Sequence, residues 1–163
     1  MKSTIKNWID LYYKNLSAGG KIELPVLSGS MIPQLVPGKK VGIKPYSNEK
    51  LKTGDIIVFK YHKKLYAHRI IIIFSFFNKK FIYQKGDNNL YGSWIKDSDI
   101  IGIVDFSINQ DDKILDFSNQ EMQKTAKIIA TKQLIKNIVN ITLFIPRKVK
   151  RLSKKILKIY LHF

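Results

Sequence analysis

Hydrophobic and polar positions change period twice along this chain, and the changes divide it. Over residues 3–16 the apolar side chains Ile5, Trp8, Ile9, Tyr12, Tyr13 and Leu16 recur at helical spacing, and Ser17-Ala18-Gly19-Gly20 ends the pattern. From Lys21 to Asp105 the pattern is that of strands. Leu24–Leu27 is a short apolar run, and Val41–Pro45 alternates weakly and stops at proline. Asp55–Tyr61 follows the turn Lys52-Thr53-Gly54. Leu65–Phe77 is a long β-branched and aromatic run, Phe81–Gln84 follows Asn78-Lys79-Lys80, and Ile100–Val104 closes the series. Short strands separated by frequent turns, with no helix between them, predict a barrel or sandwich rather than a parallel sheet. Ile70–Phe74 is apolar at consecutive positions, which predicts cover on both faces. Helical spacing returns after Ser118-Asn119-Gln120-Glu121, a capping-box pattern. Met122, Ala126, Ile129, Leu134, Ile138, Ile141 and Ile145 carry it to Pro146, and a second helix is expected over 147–161.

The chain thus reads as an N-terminal amphipathic helix (1–20), a β domain (21–118) and a basic amphipathic helical tail (119–163). A hydrophobic fraction of 45% suffices for one core in 163 residues. Cysteine is absent, which excludes disulfides, thiolate metal sites and a cysteine nucleophile. His62, His68 and His162 are scattered and no carboxylates cluster, so neither a metal nor another cofactor is expected.

The net charge is +17, and it is uneven: residues 119–163 hold 11 lysines and arginines against the single acid Glu121. Such a balance, with Val149, Leu152, Ile156, Ile159 and Tyr160 on one helical face, suits an anionic membrane surface better than nucleic acid. The longest uncharged apolar run, Ile70–Asn78, is far short of the roughly 20 residues of a membrane span, and Asp10 and Lys14 interrupt the N-terminal segment. The expectation is peripheral membrane association without a span, on the cytoplasmic face.

Chemistry concentrates in Leu27-Ser28-Gly29-Ser30-Met31-Ile32-Pro33. Gly29 frees the backbone to turn and Pro33 disfavours helix at Ile32, so Ser30 stands on a kink at a strand end. A serine nucleophile needs a base, and His68, in Leu65-Tyr66-Ala67-His68-Arg69-Ile70, has a side chain that titrates near neutrality. Strand alternation points Arg69 to the opposite face. Ser28, two residues before Ser30, lies on the same side of an extended chain and can offer its hydroxyl to an oxyanion beside the backbone N–H of Ser30.

Four blocks occur in order: Val26–Pro33, Gly54-Asp55-Ile56-Ile57-Val58-Phe59, His68-Arg69-Ile70 and Lys85-Gly86-Asp87-Asn88-Asn89. Together they resemble the type I signal peptidase family, in its endoplasmic-reticulum-like branch with histidine in place of a lysine base. The resemblance spans roughly residues 24–104. It implies a mainly β, signal-peptidase/LexA-like coiled β-barrel core with flanking N- and C-terminal helices, α+β overall. It also implies a serine endopeptidase that cuts signal or leader peptides. The implied catalytic residues are Ser30, His68 and Asp87, with Ser28 and Ser30 at the oxyanion and Leu27, Met31 and the 56–59 strand lining pockets for small apolar residues. The chain departs from the branch where a further acid is expected, at Gly92 and Ser93, with Asp97 and Asp99 offset, and at Lys39 in place of an aspartate. Two other readings compete. One is self-cleavage as in LexA-like repressors, disfavoured by the histidine base and by the approximately 20 residues before the core. The other is an inactive β module that binds anionic membrane or nucleic acid through its tail.

Overall fold

The computed structural model describes residues 11, 12, 14, 15, 20–46, 51–62, 64–77 and 79–144, with side chains as far as 138. The expected N-terminal helix falls mostly outside these residues, though 11, 12, 14 and 15 are helical. The expected second tail helix, 147–161, lies outside them entirely.

Among the described residues eight strands form one curled antiparallel sheet, a half-barrel. They are β1 (Ile22–Pro25), β2 (Lys40–Pro45), β3 (Ile56–Tyr61), β4 (Lys64–Phe76), β5 (Lys79–Lys85), β6 (Ser93–Lys96), β7 (Ile100–Ile108) and β8 (Ile114–Asp116). Their order across the sheet is β1-β2-β7-β3-β4-β5-β6, and β8 pairs with the far end of β7. The fold is therefore mainly β, as the alternation predicts. The sequence pattern misses β6 and β8, which at four and three residues are too short to show a period.

The core has two parts because both faces of the central strands are covered. On one face Ile56 and Val58 of β3 pack with Met31, Leu35, Val41, Ile43, Ile101 and Val104. On the other, Ile57 and Phe59 pack with Leu51, Ile70, Ile82, Ile95, Ile100 and Ile103. Alternation along the strand assigns each residue to its side. Leu65 and Ala67 join the first cluster, and Tyr66 joins the second. The expected two-sided cover of 70–74 holds at Ile70 and Ile71 and fails at Phe74, which is 52% exposed. There β4 and β5 run on as a hairpin, with Phe76 and Phe77 exposed as well.

One helix, α1 (Gln120–Phe144), follows β8. Its N-terminus differs from the capping box expected at Ser118 and Glu121. Asn119 Oδ1 accepts the Glu121 N–H at 2.9 Å, while Ser118 donates its hydroxyl to Asp116 at 2.6 Å. The competing acceptor two residues upstream takes the serine, and the next residue caps in its place. The helix packs closely: a Cβ on Gly54, whose φ is +101°, would lie 2.9 Å from the backbone of Ala126 and Lys127. The face turned inward is small or polar, with Ala126, Ala130 and Gln133 buried, while Ile128, Ile135 and Ile138 are each more than half exposed. Of the expected apolar stripe, Ala126 is therefore turned inward and Ile138 outward. Among the described residues no helix is long and apolar enough to cross a membrane.

Candidate functional site

After β1 the chain stays paired with the segment before β2, through Val26 N–H to Lys39 O and Gly38 N–H to Val26 O, both 2.9 Å. It then bends into a single 3₁₀ turn, Gly29–Met31. Ser28 enters that turn extended, and Ile32 leaves it extended before a cis bond to Pro33. The fixed geometry of proline and the small size of Gly29 make a longer helix untenable here. Met31 is buried and anchors the turn. Ser30 is half-buried, and its hydroxyl lies 3.3 Å from that of the exposed Ser28. The two serines named from sequence are thus brought together.

Both hydroxyls open onto an apolar groove of about 460 Å³ between β1 and the start of β4. Leu24, Leu27, Met31, Val58 and Leu65 are among its walls. Leu27 and Met31 thus both line this groove. Of the 56–59 strand, Val58 alone reaches this groove, because Ile57 and Phe59 face the other core.

A second turn, Gly86–Asn89, clasps the first. Asn88 donates its backbone N–H to Ser30 O at 2.8 Å and its side-chain amide to Gly29 O at 3.0 Å. Asp87 N–H points at Met31 Sδ, 3.4 Å away. Gly86 permits this approach, since a Cβ there would sit 2.9 Å from Ser30 O and 2.8 Å from the Asn89 amide. The amide of Asn89 in turn lies 3.5 Å from His68 Nε2. One four-residue turn so touches both the serine backbone and the histidine ring. Ser30 Oγ and His68 Nε2 are not hydrogen-bonded to each other.

His68 sits mid-strand on β4, its ring packed between Phe59 and Tyr66 at centroid distances of 5.7 and 6.1 Å. Burial holds its pKa below the ordinary 6.5, against upward pulls from a hydrogen bond to Gln84 and from the charge of Asp87. The Nδ1 partner is Gln84 Oε1 at 2.5 Å, and Gln84 passes its own amide N–H to Ser93 Oγ at 2.6 Å. Sequence reasoning noted Ser93 only as the place of a missing acid and did not find Gln84. The signal available was its position on β5 at the same alternation as Tyr66, His68 and Ile70 across the hairpin.

Asp87 lies on the other side of the strand. Its carboxylate takes Arg69 Nε at 2.9 Å, Arg69 Nη2 at 2.6 Å and Gln133 Nε2 of α1 at 2.7 Å. Arg69 is fully buried; it also donates to Gly54 O at 2.8 Å and to Gln34 Oε1. The structure thus places Asp87 against Arg69, where the sequence led us to expect it beside the histidine. The cause is competition: a bidentate guanidinium offers two charge-assisted bonds where an imidazole offers one. The offset acids are also elsewhere: Asp99 accepts the Lys96 N–H at 3.1 Å, and Asp97 acts electrostatically on Tyr46. Lys85, which leads into the Gly86–Asn89 turn, is buried and directs its ammonium to Asn137 of α1 at 3.2 Å. Burial, seconded by Lys136, lowers its pKa.

Among the described residues no cluster of histidine and carboxylate could hold a metal ion. No protein-family model matches the chain, and no curated protein matches it.

Proposed function

We propose that this chain is a serine endopeptidase of the signal-peptidase type, with the corresponding coiled β-barrel core, that cuts signal or leader segments from peptides. The observation that carries the reading is the pair of hydroxyls, Ser28 and Ser30, at the mouth of an apolar groove, with one turn linking Ser30 to His68. In the reaction the Ser30 Oγ–H proton passes to His68 Nε2 as Oγ bonds to the scissile carbonyl carbon. The oxyanion takes the Ser28 hydroxyl and the Ser30 N–H. The imidazolium then gives its proton to the leaving amine as the C–N bond breaks, and water repeats the sequence to free Ser30. A bound peptide displaces Asn89 from Nε2 and closes the gap between serine and base, since catalytic hydrogen bonds tighten in the complex. Leu27 and Met31 bound the groove and admit small apolar residues. Asp87 builds the site by holding the Gly86–Asn89 turn against Arg69.

The test is incubation of the full chain with signal-like and leader-like peptides, with products read by mass spectrometry. Cleavage is expected, and Ser30→Ala should abolish it with the fold intact. Equal turnover by Ser30→Ala removes the peptidase reading. A wild-type protein that binds such peptides and cuts none leaves an inactive binding module.

The same reading sets the protein peripherally on an anionic membrane through residues 119–163. Two observations support it. Ile128, Ile135 and Ile138 lie exposed on α1 among Lys124, Lys127, Lys132 and Lys136, and the β4–β5 hairpin exposes Phe74, Phe76 and Phe77 beside Lys79. Each basic residue close to an anionic surface contributes about 1 kcal/mol. Co-sedimentation should be strong with anionic vesicles and weak with neutral ones, and replacing the three isoleucines by serine should reduce it several-fold. Equal binding to both lipids, or none at low salt, excludes the attachment.

A further inference from the structure

We infer that Gln84, oriented by Ser93, is the residue that fixes the tautomer of His68, so that a neutral amide stands where a serine–histidine centre commonly uses a carboxylate. The inference rests on the peptidase reading for its consequence, but its geometry stands without it. Gln84 Nε2 donates its N–H to Ser93 Oγ at 2.6 Å, because an amide nitrogen only donates. The carbonyl end, Oε1, is then turned to His68 Nδ1 at 2.5 Å. A carbonyl oxygen only accepts, so Nδ1 must carry the proton. Nε2 is left with its lone pair. The opposite ring edge agrees, because the group facing Nε2 is the amide nitrogen of Asn89, a donor, at 3.5 Å. Gln84 is 97% buried, and the Gly92 backbone lies close over that of Gln84: a Cβ on Gly92 would meet the Gln84 backbone O at 2.3 Å.

The consequence is a base of the right form with modest help. Nε2 is the nitrogen left free to take the Ser30 proton once a peptide displaces Asn89, and Nδ1–H stays in place through the whole cycle. When the imidazolium forms it meets a dipole at Nδ1 in place of a full negative charge. The formal charge nearest in influence is Asp87, which is already spent on Arg69; Tyr66 and Phe59 supply the remaining walls. Ser93 and Gln84 are therefore positioning residues, acting through His68.

The experiment is a long-range proton–nitrogen correlation on the ¹⁵N-labelled full chain near pH 7.5, with His68→Gln to assign the ring among three histidines. Expected is an Nδ1–H tautomer, with Nε2 at the shift of an unprotonated nitrogen. A dominant Nε2–H tautomer overturns the inference and leaves the Ser30 chemistry untouched. Conversely, full turnover by Ser30→Ala removes the peptidase and leaves the tautomer standing. Gln84→Leu should release the ring to a mixture of tautomers. It should lower kcat by at least tenfold, short of the ~10⁴-fold of a histidine held in the wrong tautomer, with KM unchanged. Gln84→Glu should restore the pure Nδ1–H form and move the acid limb of the pH profile upward. An unmoved limb in Gln84→Glu, with the tautomer of Gln84→Leu unchanged, overturns it equally.

Discussion

His68 and Arg69 are consecutive residues of β4, and the pleat sends them into two different polar environments. On the His68 side every partner is neutral: Gln84, Ser93 and Asn89, with the rings of Phe59 and Tyr66. The Arg69 side is built on a buried charge pair, Arg69 with Asp87, which Gln133 links to α1, while the neutral Gln34 and Gly54 O complete the guanidinium. The charged side is closed against α1; on the neutral side His68 Nε2 faces the amide of Asn89 at 3.5 Å. The division separates two jobs. A buried bidentate ion pair holds the Gly86–Asn89 turn in place. The same turn then delivers Asn88 to the serine backbone and Asn89 to the histidine, so the ion pair does the holding and neutral groups surround the proposed base.

The largest break in this comparison comes from removing Arg69. Arg69→Met leaves the Asp87 carboxylate, 8% exposed, without its cation. Truncating one member of a buried pair costs about 3–5 kcal/mol, read as a lower denaturant midpoint. His68→Asn should cost less, about 1–3 kcal/mol for the buried Gln84 Oε1 left without its partner, while turnover disappears. If His68→Asn destabilises the fold more than Arg69→Met, the assignment of holding to one side and chemistry to the other is wrong.

A smaller effect sharpens the neutral side. Burial lowers the His68 pKa from 6.5 and outweighs Gln84 and Asp87. The imidazole accepts a proton only when neutral, so kcat/KM rises with pH as imidazolium is lost and levels above that pKa. The midpoint of the limb should lie below pH 6.5, lower than the unperturbed histidine expected from sequence. A midpoint at or above 6.5 would show that Asp87 or another acid acts on the ring more strongly than burial does.

The two sides were unequally legible in the sequence. Ser28, Ser30 and Met31 could be read because proline, glycine and a strand end are local signals, and His68 because its alternation with Arg69 is local as well. The mainly β class followed from strand-length apolar runs. Gln84 and the destination of Asp87 could not be read, because both depend on the antiparallel register of β4, β5 and β6. That register includes a shift between Ile70 and Ile72, which no period in the sequence announces. Which face of α1 turns inward could not be read for a related reason. Helical spacing identifies apolar positions, yet the close approach at Gly54 selects for the small side chains Ala126 and Ala130 and turns isoleucines outward.

The smallest effect tests whether Lys85 belongs to the holding side. Its ammonium is buried and has Asn137 as its partner, while the Nδ2 of that asparagine is itself without one. Desolvation, with Lys136 next, lowers its pKa from 10.5 in the folded chain. In the unfolded chain the group keeps its ordinary value, so between the two values the unfolded state binds the extra proton. Stability contributed by this residue therefore rises with pH through that alkaline interval, and below it the burial cost of the ammonium is carried in full. Lys85→Met keeps the length of the side chain and removes the charge. At neutral pH the exchange should shift stability by about 1 kcal/mol or less, since a buried charge replaced by a packed apolar group is often neutral or favourable. The alkaline rise present in the wild type should flatten in the variant, as read from chemical denaturation between pH 8 and 10.5. Cleavage and its acid limb should be unchanged. Loss of turnover in Lys85→Met, with a pH profile that climbs only in the alkaline range, would move the base from the neutral side of β4 to the charged one and undo the comparison.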